Sequence, residues 1–248
     1  MKKLTKIKIL WDRFFNKIVK VDNIEKVEEG LSRQKEALKK LNDSYYNAKG
    51  SLDTYKEELK KRLPELKEED GYLKITHFGV PFGIRLDDGR IDCLDGKGEA
   101  NATEMLNIYT LLGYVKENAS FMDKWVPFAD LRDARPFGPA YKIGVTDVFA
   151  ATFSGHAKEL REAFLKLNGT ELPQGDVGYQ INAFECEPMR FYFWDCDDEF
   201  EAQGNILFDY SATDFNHVES AVSTAEMGVK RLAELAGLPL RGKSFGMQ

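Results

Sequence analysis

The stretch VGYQINAFECEPMRFYFW, residues 177–194, decides how the rest of the chain is read. Val177, Tyr179, Ile181 and Ala183 alternate with other residues at the period of two that puts them on one face of a strand. Glu187-Pro188 reads as a turn, and Met189 to Trp194 then runs almost wholly aromatic. A strand apolar on both faces is a central strand, covered on each side. A ten-residue connection leads from it to a further strand over 205–210.

Working outward, the same alternation predicts strands at 72–78 and 82–86, separated by Gly79-Val80-Pro81. Asp88-Gly89 supplies a hairpin turn into a strand from about Arg90 to Leu94, because both central positions tolerate positive φ. Helices carry their own punctuation. Asn101 and Glu104 fit an N-cap and N3 pair ahead of the stripe Met105, Ile108, Leu112, which Gly113 ends. A second helical stretch spans 146–167 with a break at Ser154-Gly155, and a third spans 217–236. There Asn216 and Glu219 suit a capping box, and Gly237 with Pro239 stops the helix. The expected class is α+β: a mostly antiparallel sheet of about five or six strands packed with helices.

An N-terminal helical extension precedes this core, so the division expected is 1–70 and 71–248. Ile24, Val27, Leu31, Leu38, Leu41, Tyr45, Ala48, Leu52, Tyr55 and Leu59 recur on a three-four spacing, with only Gln34 off the pattern before Arg62, the seam of a coiled coil or of a helix laid on a partner. Gly50-Ser51 would break it into a hairpin, and the pattern leaves one helix or two over 24–62 open. Ahead of the seam, Ile7, Leu10, Trp11, Phe14 and Ile18 form an apolar stripe among lysines. Packing on the protein itself or on a partner chain is the first reading of residues 1–20, and contact with a membrane surface the lesser one.

Composition narrows the function classes. The chain has 248 residues, 43% hydrophobic and 31% charged, an ordinary globular balance with 17 Phe, 10 Tyr and 3 Trp. Residues 1–70 hold 18 Lys and Arg against 14 Asp and Glu, whereas 71–248 hold 17 against 27. An acidic body argues against nucleic acid, whose affinity is carried by Lys and Arg on phosphates. The three cysteines stand at unrelated spacings, which excludes a disulfide scaffold or a four-cysteine metal site and favours a reducing cytoplasm. No apolar run is long enough for a membrane span, and the Lys-rich start, interrupted by Asp12 and Arg13, does not read as a signal peptide.

Two constellations carry chemistry. Asp195, Asp197, Asp198, Glu199 and Glu201 place five carboxylates within seven residues, the kind of oxygen set a hard cation takes. The EF-hand form fails, since Phe200 stands where the loop needs Gly and Ile206 where it needs Glu. The plainer reading is a solvated connection that keeps a sheet end soluble. His217 falls at the first turn of the last helix, where backbone N–H groups and the helix dipole disfavour a cation. That favours the neutral imidazole, the form that ligates iron, cobalt or zinc. His77 and His156 lie far from it in sequence and no H-E-x-x-H pair exists. Nor is there a G-x-S-x-G elbow, a P-loop or a dinucleotide fingerprint.

Phe191-Tyr-Phe-Trp-Asp195, Asp198-Glu-Phe200, Asn205-Ile-Leu-Phe-Asp209, His217-x-Glu219 and Trp125-Val-Pro-Phe-Ala-Asp-Leu131 together resemble a domain-of-unknown-function family of anaerobic bacteria and archaea. The resemblance covers about residues 72–236. Some members of that family are joined to a four-cysteine iron–sulfur module of the kind that accompanies corrinoid proteins; this chain lacks that cysteine set. The resemblance implies an accessory or cofactor-handling domain with no assigned reaction.

The leading expectation is therefore a non-catalytic ligand-binding or cofactor-handling protein. Tyr192, Trp194, Phe208 and Tyr210 would wall an apolar pocket, and His217 would be an axial ligand to a metallated tetrapyrrole, haem or corrinoid. One alternative is a metal-assisted hydrolase or lyase using the acidic loop and Asp209, with His217 as general base. Another is an interaction module that self-associates or meets a protein partner through residues 1–70.

Overall fold

The aromatic stretch forms the middle of a five-stranded antiparallel sheet. The computed structural model describes residues 52–242 apart from Asp88. The expectations for the apolar stripe and seam over 1–51, for partner or membrane contact there, and for Asp88 lie outside the described residues.

Helix α1 (Leu52–Arg62) leads into β1 (Lys67–Glu69), β2 (Tyr72–His77), β3 (Val80–Arg85) and β4 (Ile91–Cys93). Helix α2 (Ala102–Tyr114) and β5 (Trp125–Pro127) follow. Helix α3 (Gly138–Tyr141) then passes through a π-helical turn at Lys142–Thr146 into α4 (Asp147–Phe153). The chain continues with α5 (Ala157–Lys166), β6 (Thr170–Glu171), β7 (Val177–Phe184), β8 (Glu187–Trp194) and β9 (Gln203–Asp209). It closes with the short α6 (Ala212–Phe215) and the long α7 (Val218–Ala236).

The class is α+β, and the strands divide between two antiparallel sheets, of order β1-β2-β3-β4 and β5-β9-β8-β7-β6. The reason is where the helices fall: α2 interrupts the strands after β4, so a second set of hairpins builds its own sheet. β8 is central in its sheet, but it is not covered on both sides: helices bury one face, while Arg190 and the exposed Trp194 stand on the other. The hairpin before β8 turns at Glu185-Cys186, two residues earlier than Glu187-Pro188. Glu187 thereby joins the strand, and Pro188, which has no N–H to give, pairs with Asn182 where the ladder shifts register.

Register fixes the faces. Met189, Phe191 and Phe193 stand opposite Phe208, Ile206 and Gly204, and all share the face that α4, α5 and α7 cover. Phe149 and Phe164 pack edge-on or tilted against Phe191, and Phe149 against Phe193. Each such ring, fully buried, contributes about 1.5–3 kcal/mol. Two glycines let these layers close up. A Cβ on Gly204 would stand 2.5 Å from Phe149, and one on Gly228 of α7 would stand 2.9 Å from Phe78 and 3.1 Å from Phe191.

The two sheets are joined at the end of β2. The Phe78 amide donates to the Ala183 carbonyl at 2.9 Å. His77, fully buried, gives its Nδ1–H to the same carbonyl at 3.0 Å and accepts from the Asn107 amide on Nε2 at 3.2 Å. Burial drives this imidazole down to about 4, so the ring is the neutral tautomer those two bonds demand. Leu59, Leu63 and Leu66 of α1 and its exit belong to the same core, so the helical segment's last turns are part of this body.

The predicted helix ends are mostly present. Asn101 and Glu104 make the full capping box of α2. Gly237 closes α7 in the left-handed conformation at φ 71°. At the start of α7 the cap is His217 rather than Asn216: its ring nitrogen accepts the Glu219 N–H, while the Asn216 side chain turns inward to Glu187.

Candidate functional site

The other face of the five-stranded sheet carries Gln180, Arg190, Tyr192 and Trp194, with Trp125 from the edge strand. Arg190 lies 3.9 Å over the Trp125 ring and gives its Nε–H to Gln180 at 3.0 Å. Next to this assembly opens a cleft of about 540 Å³, within the range of small-molecule sites. Arg62 and Glu65 line it from the exit of α1, Phe121 from the segment before β5, and Asn182, Cys186 and Pro188 from the β7–β8 hairpin.

Each wall has a local cause. Leu63 and Leu66 anchor in the core, and this turns Arg62 and Glu65 toward the cleft. Arg62 gives one bond to the Val115 carbonyl at 3.0 Å and pairs with Glu58. Phe121 is 49% exposed and is held by Trp125, the ring centroids 5.9 Å apart. Its segment is pinned by Asp209, whose buried carboxylate accepts the N–H of Met122 at 3.0 Å, Lys124 at 2.8 Å and Ser211 at 3.0 Å, and also the Ser211 hydroxyl.

Chemically the cleft offers an orphan pair. Arg62 Nε, a donor, and Glu65 Oε1, an acceptor, are buried without a hydrogen-bond partner of their own among the described residues, although the Glu65 carboxyl as a group also meets the Cys186 thiol. A buried polar atom left unpaired costs about 1–3 kcal/mol, which a ligand supplying the missing partner returns. Burial holds the Cys186 thiol far above its ordinary range, with the nearby carboxyls of Glu187 and Glu65 adding to the shift, so it stays protonated and is not a nucleophile.

Pro188 also lines a recess of about 10 Å³ on the inner side, room for one water-sized group. Glu187, Asn216 and Thr224 line it too. Burial pushes the Glu187 carboxyl up to about 8, the Asn216 hydrogen bond opposing the shift and Glu65 adding to it.

The residues singled out from sequence fall elsewhere. His217 lines neither cavity. Its side chain is 25% exposed, its Nδ1 accepts the Glu219 N–H at 3.3 Å, and its ring stands 5.1 Å from that of Tyr114. Tyr192 and Trp194 are neighbours on one face, centroids 6.4 Å apart, whereas Phe208 pairs with Met189 on the opposite face and packs on Phe128 and Tyr141. Tyr210 lies under Lys124 and Arg132, at 4.1 and 5.0 Å. The four rings thus do not form one wall, and the set does not fit a tetrapyrrole.

The acidic loop spends its first carboxylates on backbone N–H groups, its own and that of the α4–α5 break. Asp195 accepts from the N–H of Gly155 at 2.7 Å and of Cys196 at 2.8 Å, and Asp197 from Glu199 and Phe200 at 2.8 and 2.7 Å. Asp198, Glu199 and Glu201 are exposed. Among the described residues no three His, Cys, Asp or Glu side chains gather to hold a metal ion.

Sequence reasoning missed Arg62, Glu65, Phe121 and the inward place of Glu187. Only the last had a signal. Glu187, Met189, Phe191 and Phe193 keep the period of two, and that register puts the carboxyl on the buried face.

A family model for a domain of unknown function, DUF3786, matches residues 57–231, and the chain belongs to that family. No curated protein and no solved structure matches it.

Proposed function

We propose that this member of the DUF3786 family is a non-catalytic ligand-binding protein that takes a small, partly polar molecule into the cleft between the exit of α1 and the β7–β8 hairpin. The observation that carries the reading is the orphan pair Arg62 Nε and Glu65 Oε1 in the wall of a cavity of about 540 Å³. Such a site asks for a ligand with one acceptor and one donor set on an apolar body, the body lying against Phe121 and Pro188. What argues against catalysis in the same place is Cys186, whose thiol is kept protonated by burial and so supplies no nucleophile. A reducing cytoplasm is the proposed setting, in keeping with three cysteines that are all free thiols.

A haem or corrinoid held by His217 has no comparable support, because that ring caps α7 and the expected walls face opposite ways. The metal-assisted alternative likewise lacks its carboxylates: Asp209 spends both oxygens on four donors, and the acidic loop caps its own turns.

The test is native mass spectrometry of the purified full chain beside Asn182→Trp, whose indole would fill the cleft from an exposed strand position. The reading predicts a bound small molecule on the parent chain, lost from a variant that melts at the temperature of the ligand-stripped parent. Equal occupancy of the two chains, or no bound molecule on either, overturns it.

A further inference from the structure

Three of the residues lining the recess behind Pro188 carry a side-chain oxygen that is buried and without a hydrogen-bond partner among the described residues: Glu187 Oε1, Asn216 Oδ1 and Thr224 Oγ1. Glu187 itself is 8% exposed and Asn216 and Thr224 still less. The recess and the cleft share a wall residue. Pro188 lines both, and the consecutive residues Phe215 and Asn216 line one each.

All three oxygens accept hydrogen bonds, and the first two can do nothing else when Glu187 is ionised. A primary ammonium group carries three N–H donors and no acceptor, and it is about the size of a water molecule. Number, polarity and volume therefore agree. We propose, building on the cleft reading, that the ligand is a primary amine whose ammonium group enters this recess and is held by Glu187, Asn216 and Thr224 while its body lies in the cleft.

The charge balance is explicit. The titratable groups that face Glu187 are Glu65, from the exit of α1, and Cys186, beside it on the hairpin; neither supplies a cation. Without one, the buried carboxyl keeps its proton at neutral pH. On binding, Glu187–COOH and R–NH₃⁺ become a carboxylate–ammonium pair and one proton leaves to solvent. The start of α7 favours the carboxylate over the acid, so the helix dipole assists the proton's departure and opposes a lone cation. Selectivity follows: an N-trimethylated amine has no N–H to give and exceeds the recess.

The experiment is isothermal titration of the full chain at pH 7 with n-butylamine and with n-butyltrimethylammonium, in two buffers of different protonation enthalpy. Butylamine is expected to bind with release of close to one proton, and the trimethyl compound about tenfold or more weaker. Glu187→Gln is expected to abolish proton release and cost about tenfold or more in affinity, and Thr224→Val, nearly isosteric, to cost several-fold. Equal binding of the two probes, binding without proton release, or a Glu187→Gln chain that folds and binds as before overturns the inference. Should butylamine fail to bind while the copurified molecule is still lost from Asn182→Trp, the recess holds an ordered water only and the cleft reading stands. Loss of both results removes the cleft reading as well.

Discussion

Glu187 is where the chemistry of a single residue departs most from its ordinary behaviour. A carboxyl raised to about 8 from an ordinary 4.5 stabilises the fold fully only below pH 4.5, and that contribution falls away as the pH rises toward 8. Gln in its place keeps the acceptor for Asn216 and does not titrate. Denaturant unfolding should therefore show Glu187→Gln gaining on the parent chain by about 1.4 kcal/mol per pH unit at most, roughly 3 kcal/mol between pH 5 and 7. A constant difference across that range would mean the carboxyl is not desolvated. His77 acts in the opposite sense. Its depressed value leaves stability intact above pH 6.5 and erodes it as the pH falls toward 4. Neither role was legible from composition. Burial of a polar side chain is set by which face a strand presents, and a turn read at Glu187-Pro188 leaves Glu187 outside the strand it in fact begins.

At the scale of elements, α7 shows what local sequence rules do and do not decide. Its length, apolar stripe and glycine stop follow from spacing, and its cap lies one residue away from the predicted Asn216. The difference matters because His217 acquires a complete structural role as the cap. His217→Ala should cost about 0.5–2 kcal/mol in unfolding free energy, whereas His217→Asn, a better N-cap residue, should cost nothing. A tetrapyrrole ligand would behave otherwise: hemin added to the parent chain would give a shifted visible band that Asn could not preserve. The acidic loop teaches the same lesson. Five carboxylates in a row read as a cation site only if their oxygens converge, and in a short connection between strands Asp195 and Asp197 reach backbone N–H groups first.

At the scale of the whole described body, class and the central strand were readable because hydrophobic periodicity reports them directly. The division into two sheets was not, since it depends on how α2 separates two runs of strands and on one buried histidine that ties β2 to β7. The cleft was equally hidden. It is assembled from the exit of α1, the segment before β5 and a hairpin, three pieces about 60 residues apart along the chain that no motif links. Their meeting is a product of the core: Leu63 and Leu66 seat the first piece and Asp209 pins the second. That shared support ties the shape of the cleft to the fold. The proposed function requires this cleft to be filled by a molecule of defined chemistry. An experimental electron-density map of the full chain, purified without added ligand, examines that most directly. The prediction is ordered density of a non-solvent molecule between Phe121 and Asn182, within hydrogen-bond distance of both Arg62 Nε and Glu65 Oε1. A cleft containing solvent alone, with those two atoms bridged by water, would contradict it.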